Sequence, residues 1–342
     1  MKAIPIGLIL AGLLSSTAMA ADLEKVSVAL GWLRNGQYAP LMAADAQGFF
    51  EAEGIDLEIV DGGPGKNPMP LVGAGQADFG IGGGASIFLA RLAEAPVPVK
   101  ALGAVSQIWP YAFMTITDPA SPDPTPKDLI GKTVGIQADG QQNLDAITRL
   151  NGLDPAQVKV QVVLATPEPL LLGQVDFFTG NLNNQAYQID KEIAAAPQGS
   201  PLHGKVRKSL RFNDYAFPFY HDVVFTSDKV IADKPELVSR FMRALAKGVE
   251  FTVENPDKAI DAVASYPGQV EDREKIAWRM PIQRGLVLSK GTVEHGYLWM
   301  EPSAWEAAMN FYKDSKQITR TLPVDEVMTN QFNPGIKSSA AE

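Results

Sequence analysis

The chain of 342 residues contains no cysteine and only three histidines. The lack of cysteine excludes disulfide bonds, thiol catalysis, zinc sites with thiolate ligands and iron–sulfur clusters. A histidine metal site is disfavoured as well, because His203, His221 and His295 lie too far apart in sequence for any two to share a helical face. We therefore expect neither a metal nor another cofactor.

Positive charge is also scarce. The sequence has 30 Lys and Arg residues against 39 Asp and Glu residues, which gives a formal net charge of -9. No basic surface large enough to hold a polyanion is expected, so nucleic acid is not predicted as a partner. Apolar material is plentiful at 46% of residues. Together with the length, it predicts about two domains with cores of their own.

The sequence has no apolar run long enough to span a membrane, which takes about 20 residues. Residues 1–20 begin with a single lysine, continue with a shorter apolar run and end in Ala18-Met19-Ala20, which is typical of a cleavage site. We predict a secretory signal peptide cleaved after Ala20. Because no cysteine follows to carry a lipid anchor, the mature protein is expected to be free in an envelope space such as a periplasm.

Short apolar strands alternate with helical stretches along the mature chain, which predicts an α/β fold with mostly parallel sheets. A proline-dense stretch at 118–126 interrupts the alternation, and an apolar segment at 222–226 returns the chain to the first unit. The pattern predicts a two-lobed clamp with hinge crossings near 115–118 and 222–225. The expected division is a signal peptide at 1–20, a first lobe from 21–115 and 224–342, and a second lobe from 116–223.

Ligands of such sheets bind beyond the carboxyl ends of the strands, so the loops that follow strands are the candidate site. The loop 31–38 holds two aromatic rings, a cation and two amides ahead of a helix. Aromatic faces can stack on flat ligands, and amides can pair with ring nitrogens or carbonyls. We predict ligand contacts from Trp32, Asn35 and Tyr38, although the rings could instead fill the gap between sheet and helix. Arg34 would serve an anionic ligand.

A glycine-rich turn at 82–86 precedes the next helix. Such a turn lets a ligand approach the backbone, and the helix start that follows attracts anions. We predict contacts from Gly84 and Ser86, although such turns are also ordinary connections. The sequence has neither a dinucleotide-type glycine motif nor a P-loop lysine.

The expected second lobe and the crossings supply the other candidates. Amides clustered at 181–185 reduce helix propensity unless they cap a helix or bind a ligand. Aromatic and histidine side chains near the crossings could form the wall of a cleft or fill the core. The predicted contacts from these regions are Trp109, Gln137, Asn181, Asn184, Tyr220 and His221.

Catalytic motifs are missing from the sequence. There is no G-x-S-x-G elbow and no H-E-x-x-H segment. His221 and Asp222 are neighbours, and their side chains would point to opposite faces of a strand. We therefore predict that the protein is not an enzyme.

Several segments together resemble a known family. They are Gly31-Trp32-x-x-Asn35 with Tyr38-Ala39-Pro40, and the segments 46–55, 75–81, 129–135, 173–176, 235–256 and 327–332. In this order they resemble the periplasmic substrate-binding proteins of ABC importers, in the branch of thiamine-pyrimidine-precursor and riboflavin binders. Sulfonate, nitrate and taurine binders are more distant relatives. Fungal enzymes that make the thiamine pyrimidine from their own histidine are similar too, but this chain lacks their cysteine-rich motif and carries an export signal.

The resemblance implies a two-lobed type II periplasmic-binding-protein clamp that takes a small-molecule ligand. Its expected partners are an ABC permease and a separate ATPase, and the protein itself is expected to be a monomer. Family contacts would fall on Trp32, Asn35, Tyr38, Ser86 and Asn181. We predict a heteroaromatic ligand such as a pyrimidine thiamine precursor. The alternatives are a binder of a sulfonate, nitrate or aromatic carboxylate, and a periplasmic ligand sensor.

Overall fold

The structure is a computed structural model that describes residues 23–63, 65–137, 140–215 and 219–338. The predicted signal peptide at 1–20 lies outside these ranges. Among the residues described, no helix is both long and apolar enough to cross a membrane.

The strands alternate with helices, as the sequence pattern predicts. The strands are β1 (Glu24–Leu30), β2 (Ile55–Val60), β3 (Phe79–Gly82), β4 (Val99–Ala104), β5 (Tyr111–Thr117), β6 (Thr133–Ile136), β7 (Lys159–Val162), β8 (Phe177–Asn181), β9 (Val206–Arg211) and β10 (Val223–Ser227). The helices are α1 (Ala39–Ala46), α2 (Phe49–Ala52), α3 (Pro68–Gly73), α4 (Gly84–Leu92), α5 (Gln141–Leu150), α6 (Glu168–Leu171), α7 (Gln185–Ala195), α8 (Asp228–Asp233), α9 (Pro235–Glu254), α10 (Pro256–Ala264), α11 (Arg273–Leu286), α12 (Lys290–His295), α13 (Pro302–Asp314) and α14 (Val324–Val327).

The strands form two sheets, one in each lobe. The first has the order β2-β1-β3-β10-β4 and the second the order β7-β6-β8-β5-β9. In the first sheet β10 runs antiparallel to both of its neighbours, and in the second β5 does the same, while the other strands share one direction. The predicted fold of two mostly parallel α/β lobes is confirmed.

The chain crosses between the lobes earlier than the sequence suggests. Strand β5 pairs with β8 and β9, so residues 111–117 already belong to the second sheet. The first crossing therefore lies between Ala104 and Tyr111 and not at 115–118, and the proposed lobe boundary after residue 115 is corrected accordingly. The proline-dense stretch that suggested the boundary connects β5 to β6 within the second lobe. The return crossing leads into β10 at Val223.

Helix α9 buries its apolar stripe against the first sheet and α1. The stripe residues Val238, Phe241, Leu245, Val249 and Val253 recur at the helical period and are all buried. Phe241 stacks on Phe79 of β3 with ring centroids 3.9 Å apart. Gly248 allows α9 to approach α1 closely, because a Cβ at this position would lie 2.2 Å from the carbonyl oxygen of Pro40. This packing fixes the start of α1, and with it the loop that precedes α1.

Candidate functional site

A cavity of about 260 Å³ lies between the two lobes, beside both crossings. We call it the inner cavity. The first lobe contributes the turn between β3 and α4 together with Tyr312 of α13, and the second lobe contributes residues around the start of α5. Its lining residues are Gly83, Gly84, Ala85, Ser86, Trp109, Tyr111, Gln137, Gly140, Asn143, Phe219, Tyr220, His221 and Tyr312.

Several of the predicted contacts meet in the inner cavity. They are Gly84, Ser86, Trp109, Gln137, Tyr220 and His221. They come from both lobes and from both crossings, so the two-lobed topology brings together residues that lie as much as 137 positions apart, as Gly84 and His221 do. Their contact with a ligand stays a prediction.

The lining of the inner cavity combines aromatic rings with neutral polar groups. Trp109 packs on Tyr111 with ring centroids 4.8 Å apart and meets Phe219 edge to face at 5.6 Å. No Asp, Glu, Lys or Arg residue is among the lining residues that the structure describes. Rings that are already packed against one another present fixed apolar faces. The cavity is thus suited to a flat ligand with little charge.

Polar groups at the inner cavity are held in place by the backbone. Gln137 donates from Nε2 to the carbonyl oxygen of Thr179 at 2.9 Å, which orients its amide. The backbone N–H of His221 donates to the carbonyl oxygen of Ser106 at 3.2 Å. The Nε2 atom of His221 is buried and has no hydrogen-bond partner within the described ranges. A buried polar atom without a partner is costly, so a ligand group that pairs with His221 Nε2 would gain affinity.

The predicted contacts of the first loop do not reach the inner cavity. Trp32 is half-buried and packs against the core around α1 and α9. Asn35 caps the turn that follows it, because its Oδ1 accepts the N–H of Gln37 at 2.9 Å. Tyr38 is only 3% exposed, and burial, with a smaller contribution from Asp222, raises the pKa of its hydroxyl well above the usual value. This packing favours gap filling, which the sequence left open, and ligand contact from Trp32, Asn35 and Tyr38 stays a prediction.

Arg34 is also directed away from the inner cavity. Its guanidinium donates to Asp61 Oδ1 at 2.7 Å and to the carbonyl oxygens of Ile59 and Pro267 at 2.7 and 2.9 Å. These bonds tie the first loop to the end of β2 and to the segment after α10. The cation that an anionic ligand would need is therefore already engaged elsewhere.

The amides at 181–185 lie at a second contact between the lobes, which we call the seam. Here α11 meets the loop after β8 and the start of α7. Lys275 Nζ donates to Asn184 Oδ1 at 3.0 Å, and Asn183 Nδ2 donates to Gln283 Oε1 at 3.2 Å. Asn181 lies nearby, with a buried Oδ1 that has no partner among the described residues. Asn181 and Asn184 therefore do not line the inner cavity.

Sequence reasoning missed the buried charge at the seam. Arg279 is 1% exposed and forms an ion pair with Glu271, while its Nε and Nη1 atoms have no hydrogen-bond partner in the described part of the chain. Burial lowers the pKa of the guanidinium. The signal available in the sequence was the spacing of Lys275, Arg279 and Gln283, which puts three polar side chains on one face of α11.

Comparison with known proteins assigns the family. The model of the NMT1/THI5-like family matches residues 35–259, so the chain belongs to this family. The chain is similar to the riboflavin-binding protein RibY of Chloroflexus aurantiacus, at 25% identity over 92% of this chain and 87% of RibY. It is also similar to the formylaminopyrimidine-binding protein of Halalkalibacterium halodurans, at 28% identity over 70% of each chain.

Other similarities extend to an enzyme and to the fold. A 4-amino-5-hydroxymethyl-2-methylpyrimidine phosphate synthase of Legionella pneumophila is 22% identical over 93% of this chain and 95% of the synthase. Among solved structures, the periplasmic sulfonate-binding protein SsuA of Methylobacillus flagellatus superposes with a TM-score of 0.63 at 17% identity, covering 91% of this chain and 93% of SsuA. The predicted resemblance to periplasmic substrate-binding proteins is confirmed.

Proposed function

We propose that the protein is the solute-binding component of an ABC import system and captures a small heteroaromatic nutrient, such as a pyrimidine thiamine precursor, in the inner cavity. The observation that carries the proposal is the lining of this cavity by aromatic rings and neutral polar groups from both lobes. Closure of the lobes would enclose the ligand, and opening would release it to a membrane permease driven by a separate ATPase.

The size of the inner cavity favours a ligand with one ring. Pockets for drug-sized ligands measure about 300–1,000 Å³, and the inner cavity, at about 260 Å³, is smaller. Trp109 would stack on the ring, while Ser86, Gln137 and His221 would exchange hydrogen bonds with its nitrogens and substituents. The names of the formylaminopyrimidine-binding protein and of the riboflavin-binding protein support a heteroaromatic ligand.

The alternatives fit the lining less well. A sulfonate, nitrate or carboxylate would require a cation or several converging N–H donors. The described lining of the inner cavity holds no Lys or Arg, and Arg34 is bound to Asp61. A sensor with the same cavity would differ only in its membrane partner. Permease and ATPase genes beside the gene of this protein would support the importer.

We further propose that the protein is exported to the periplasm, acts there as a monomer and does not transform its ligand. The predicted export signal at 1–20 and the periplasmic sulfonate-binding protein with a similar fold support this location. The similarity to a pyrimidine phosphate synthase makes turnover the alternative to test. We expect a bound pyrimidine to be recovered unchanged after prolonged incubation. A product detected by mass spectrometry would contradict this expectation.

The first experiment is a titration of the mature chain, residues 21–342, with 4-amino-5-hydroxymethyl-2-methylpyrimidine, formylaminopyrimidine, alkanesulfonates and nitrate. We expect the pyrimidines to raise the melting temperature, because a ligand at 100 times its dissociation constant stabilises the folded state by about 2.7 kcal/mol.

Trp109→Ala should weaken pyrimidine binding at least tenfold. Trp299→Ala serves as the matched control, because Trp299 packs on His295 and does not line the inner cavity. Stabilisation by the anions alone would refute the proposal.

A further inference from the structure

A second cavity lies directly behind the wall of the inner cavity. It measures about 420 Å³, and we call it the outer cavity. Its lining residues are Gln107, Asn213, Phe219, Tyr220, Ser289, Lys290, Gly291, Glu294, His295, Glu301, Ser303 and Ala304. Phe219 and Tyr220 line both cavities, so these two side chains form the partition between them.

Tyr220 spans this partition, with its backbone at the inner cavity and its hydroxyl at the outer cavity. On the inner side, the backbone N–H of Gly84 donates to the backbone carbonyl oxygen of Tyr220 at 3.2 Å, and a Cβ on Gly84 would lie 3.5 Å from the Cβ of Tyr220. At its outer end, the Tyr220 hydroxyl accepts the backbone N–H of Glu301 at 2.8 Å. Loss of the ring would therefore open a passage between the two cavities.

Phe219 has more aromatic neighbours than Tyr220 among the described residues. Its ring meets the rings of Trp109, Phe311 and Tyr312 at centroid distances of 5.6, 5.5 and 5.6 Å, each close to perpendicular. Phe219 is 7% exposed. Removal of this ring would disturb a cluster of four aromatic rings, whereas the Tyr220 ring meets only the ring of Trp305 among the described residues, at a centroid distance of 6.0 Å. Tyr220 is thus the part of the partition that can control the connection.

The two cavities differ in their chemistry. The inner cavity is lined by aromatic and neutral polar groups, whereas the outer cavity carries Lys290, Glu294, His295 and Glu301. We propose that Tyr220 is the residue that determines ligand length: it confines the ligand to a single ring in the inner cavity and closes off a polar outer cavity that could hold a hydroxylated tail. The two volumes together fall within the ~300–1,000 Å³ of pockets for larger ligands.

This inference rests on the proposed function, and the two can fail separately. The probes are 4-amino-5-hydroxymethyl-2-methylpyrimidine, which has one ring, and riboflavin, which joins a flat ring system to a hydroxylated chain. Wild type, Tyr220→Phe and Tyr220→Ala are titrated with both probes by calorimetry. Tyr220→Phe is the matched control, because it keeps the ring and loses only the hydrogen bond to Glu301. Tyr220→Leu, which retains more apolar volume, replaces Tyr220→Ala if the alanine variant does not fold.

We expect the wild type and Tyr220→Phe to bind the pyrimidine and to bind riboflavin at least tenfold more weakly. Tyr220→Ala should gain at least tenfold in riboflavin affinity. In that background, Glu294→Ala should reduce the gain without affecting pyrimidine binding, because Glu294 lines only the outer cavity. If Tyr220→Ala leaves riboflavin affinity unchanged, or if the wild type already binds riboflavin as well as the pyrimidine, the role of Tyr220 is refuted. If the wild type binds neither probe, the proposed function fails.

Discussion

At the scale of single residues, the seam contains a buried ion pair. The side chains of Arg279 and Glu271 are 1% and 6% exposed and pair with each other. Glu271 Oε1 also lies 2.9 Å from Lys275 Nζ in an ion pair, and Glu271 Oε2 accepts the backbone N–H of Gly36 at 3.0 Å. Glu271 thus connects α11 to the first loop, and its removal would leave a buried cation without its counter-charge.

We predict that Glu271→Gln lowers the free energy of unfolding by about 3 kcal/mol, because removing one partner of a buried ion pair typically costs that much. Urea denaturation measures the change. Asp261→Asn is the control: Asp261 pairs with Arg273, both partners are more than 60% exposed, and such pairs contribute about 1 kcal/mol or less. Equal losses in the two variants would contradict this prediction. Arg279→Met added to Glu271→Gln should recover part of the stability, since no unpaired charge remains.

At the scale of elements, the apolar stripe of helix α9 follows from its own sequence, whereas its start does not follow the sequence pattern of a capping box. The stripe of Val238, Phe241, Leu245 and Val249 follows the helical period and is buried. Asp233 and Glu236 have the spacing of a capping box, but this pair does not form the start of α9. Asp233 ends α8, and α9 begins at Pro235 without a side-chain cap. The fixed φ of proline suits the first helical position, so the start of α9 needs no capping side chain.

Gly248 of α9 allows a stability test at the same scale. A Cβ at this position would lie 2.2 Å from the Pro40 carbonyl oxygen and 2.6 Å from the Cβ of Ala44. We predict that Gly248→Ala destabilises the protein, although alanine is the better helix former by about 1 kcal/mol. Gly285→Ala in α11 is the matched control, because nothing lies within 4 Å of its Cβ position, and there alanine should stabilise. The melting temperatures of the two variants should change in opposite directions. A higher melting temperature for Gly248→Ala would contradict the close packing.

At the scale of the whole molecule, α11 joins the lobes. It follows the return crossing in sequence, yet Trp278 packs on the core of the second lobe and meets the ring of Tyr187 at 5.3 Å. Lys275 donates a hydrogen bond to Asn184, and Gln283 accepts one from Asn183. Together with the contacts of Trp278, these hydrogen bonds hold the lobes together at the seam. The inner cavity lies at a different place between the same two lobes. Separation of the lobes at the seam would therefore also open the inner cavity.

We predict that Trp278→Ala shifts the ligand-free protein towards a more open arrangement and weakens ligand binding several-fold, because affinity falls with the fraction of molecules in the binding-competent state. Small-angle scattering should show a larger radius of gyration without ligand, which the pyrimidine reverses. Trp299→Ala, a tryptophan outside the seam, should leave the radius unchanged. If Trp278→Ala affects neither the radius nor the affinity, the seam does not govern closure.

The sequence alone was sufficient for the features that depend on neighbouring residues. The alternation of strands and helices predicted the two α/β lobes, and the glycine-rich turn at 82–86 was correctly placed at a strand end beside the inner cavity. The same alternation placed Trp109 and Tyr220 near the two crossings. The proline-dense stretch misled the boundary, because a turn within a lobe and a linker between lobes share the same composition.

Only the tertiary structure decided which loops meet. Asn35 and Tyr38 have the right chemistry for a binding site, but the packing of α1 and α9 turns them into a cap and a core residue. Tyr312 and Glu301 carried no local signal, and Arg279 showed only its spacing along α11, because their partners lie as much as 243 positions away, as Gly36 does from Arg279. Helical period and turn chemistry act over a few residues, whereas the wall of a cavity is set by contacts between elements that are distant in the chain.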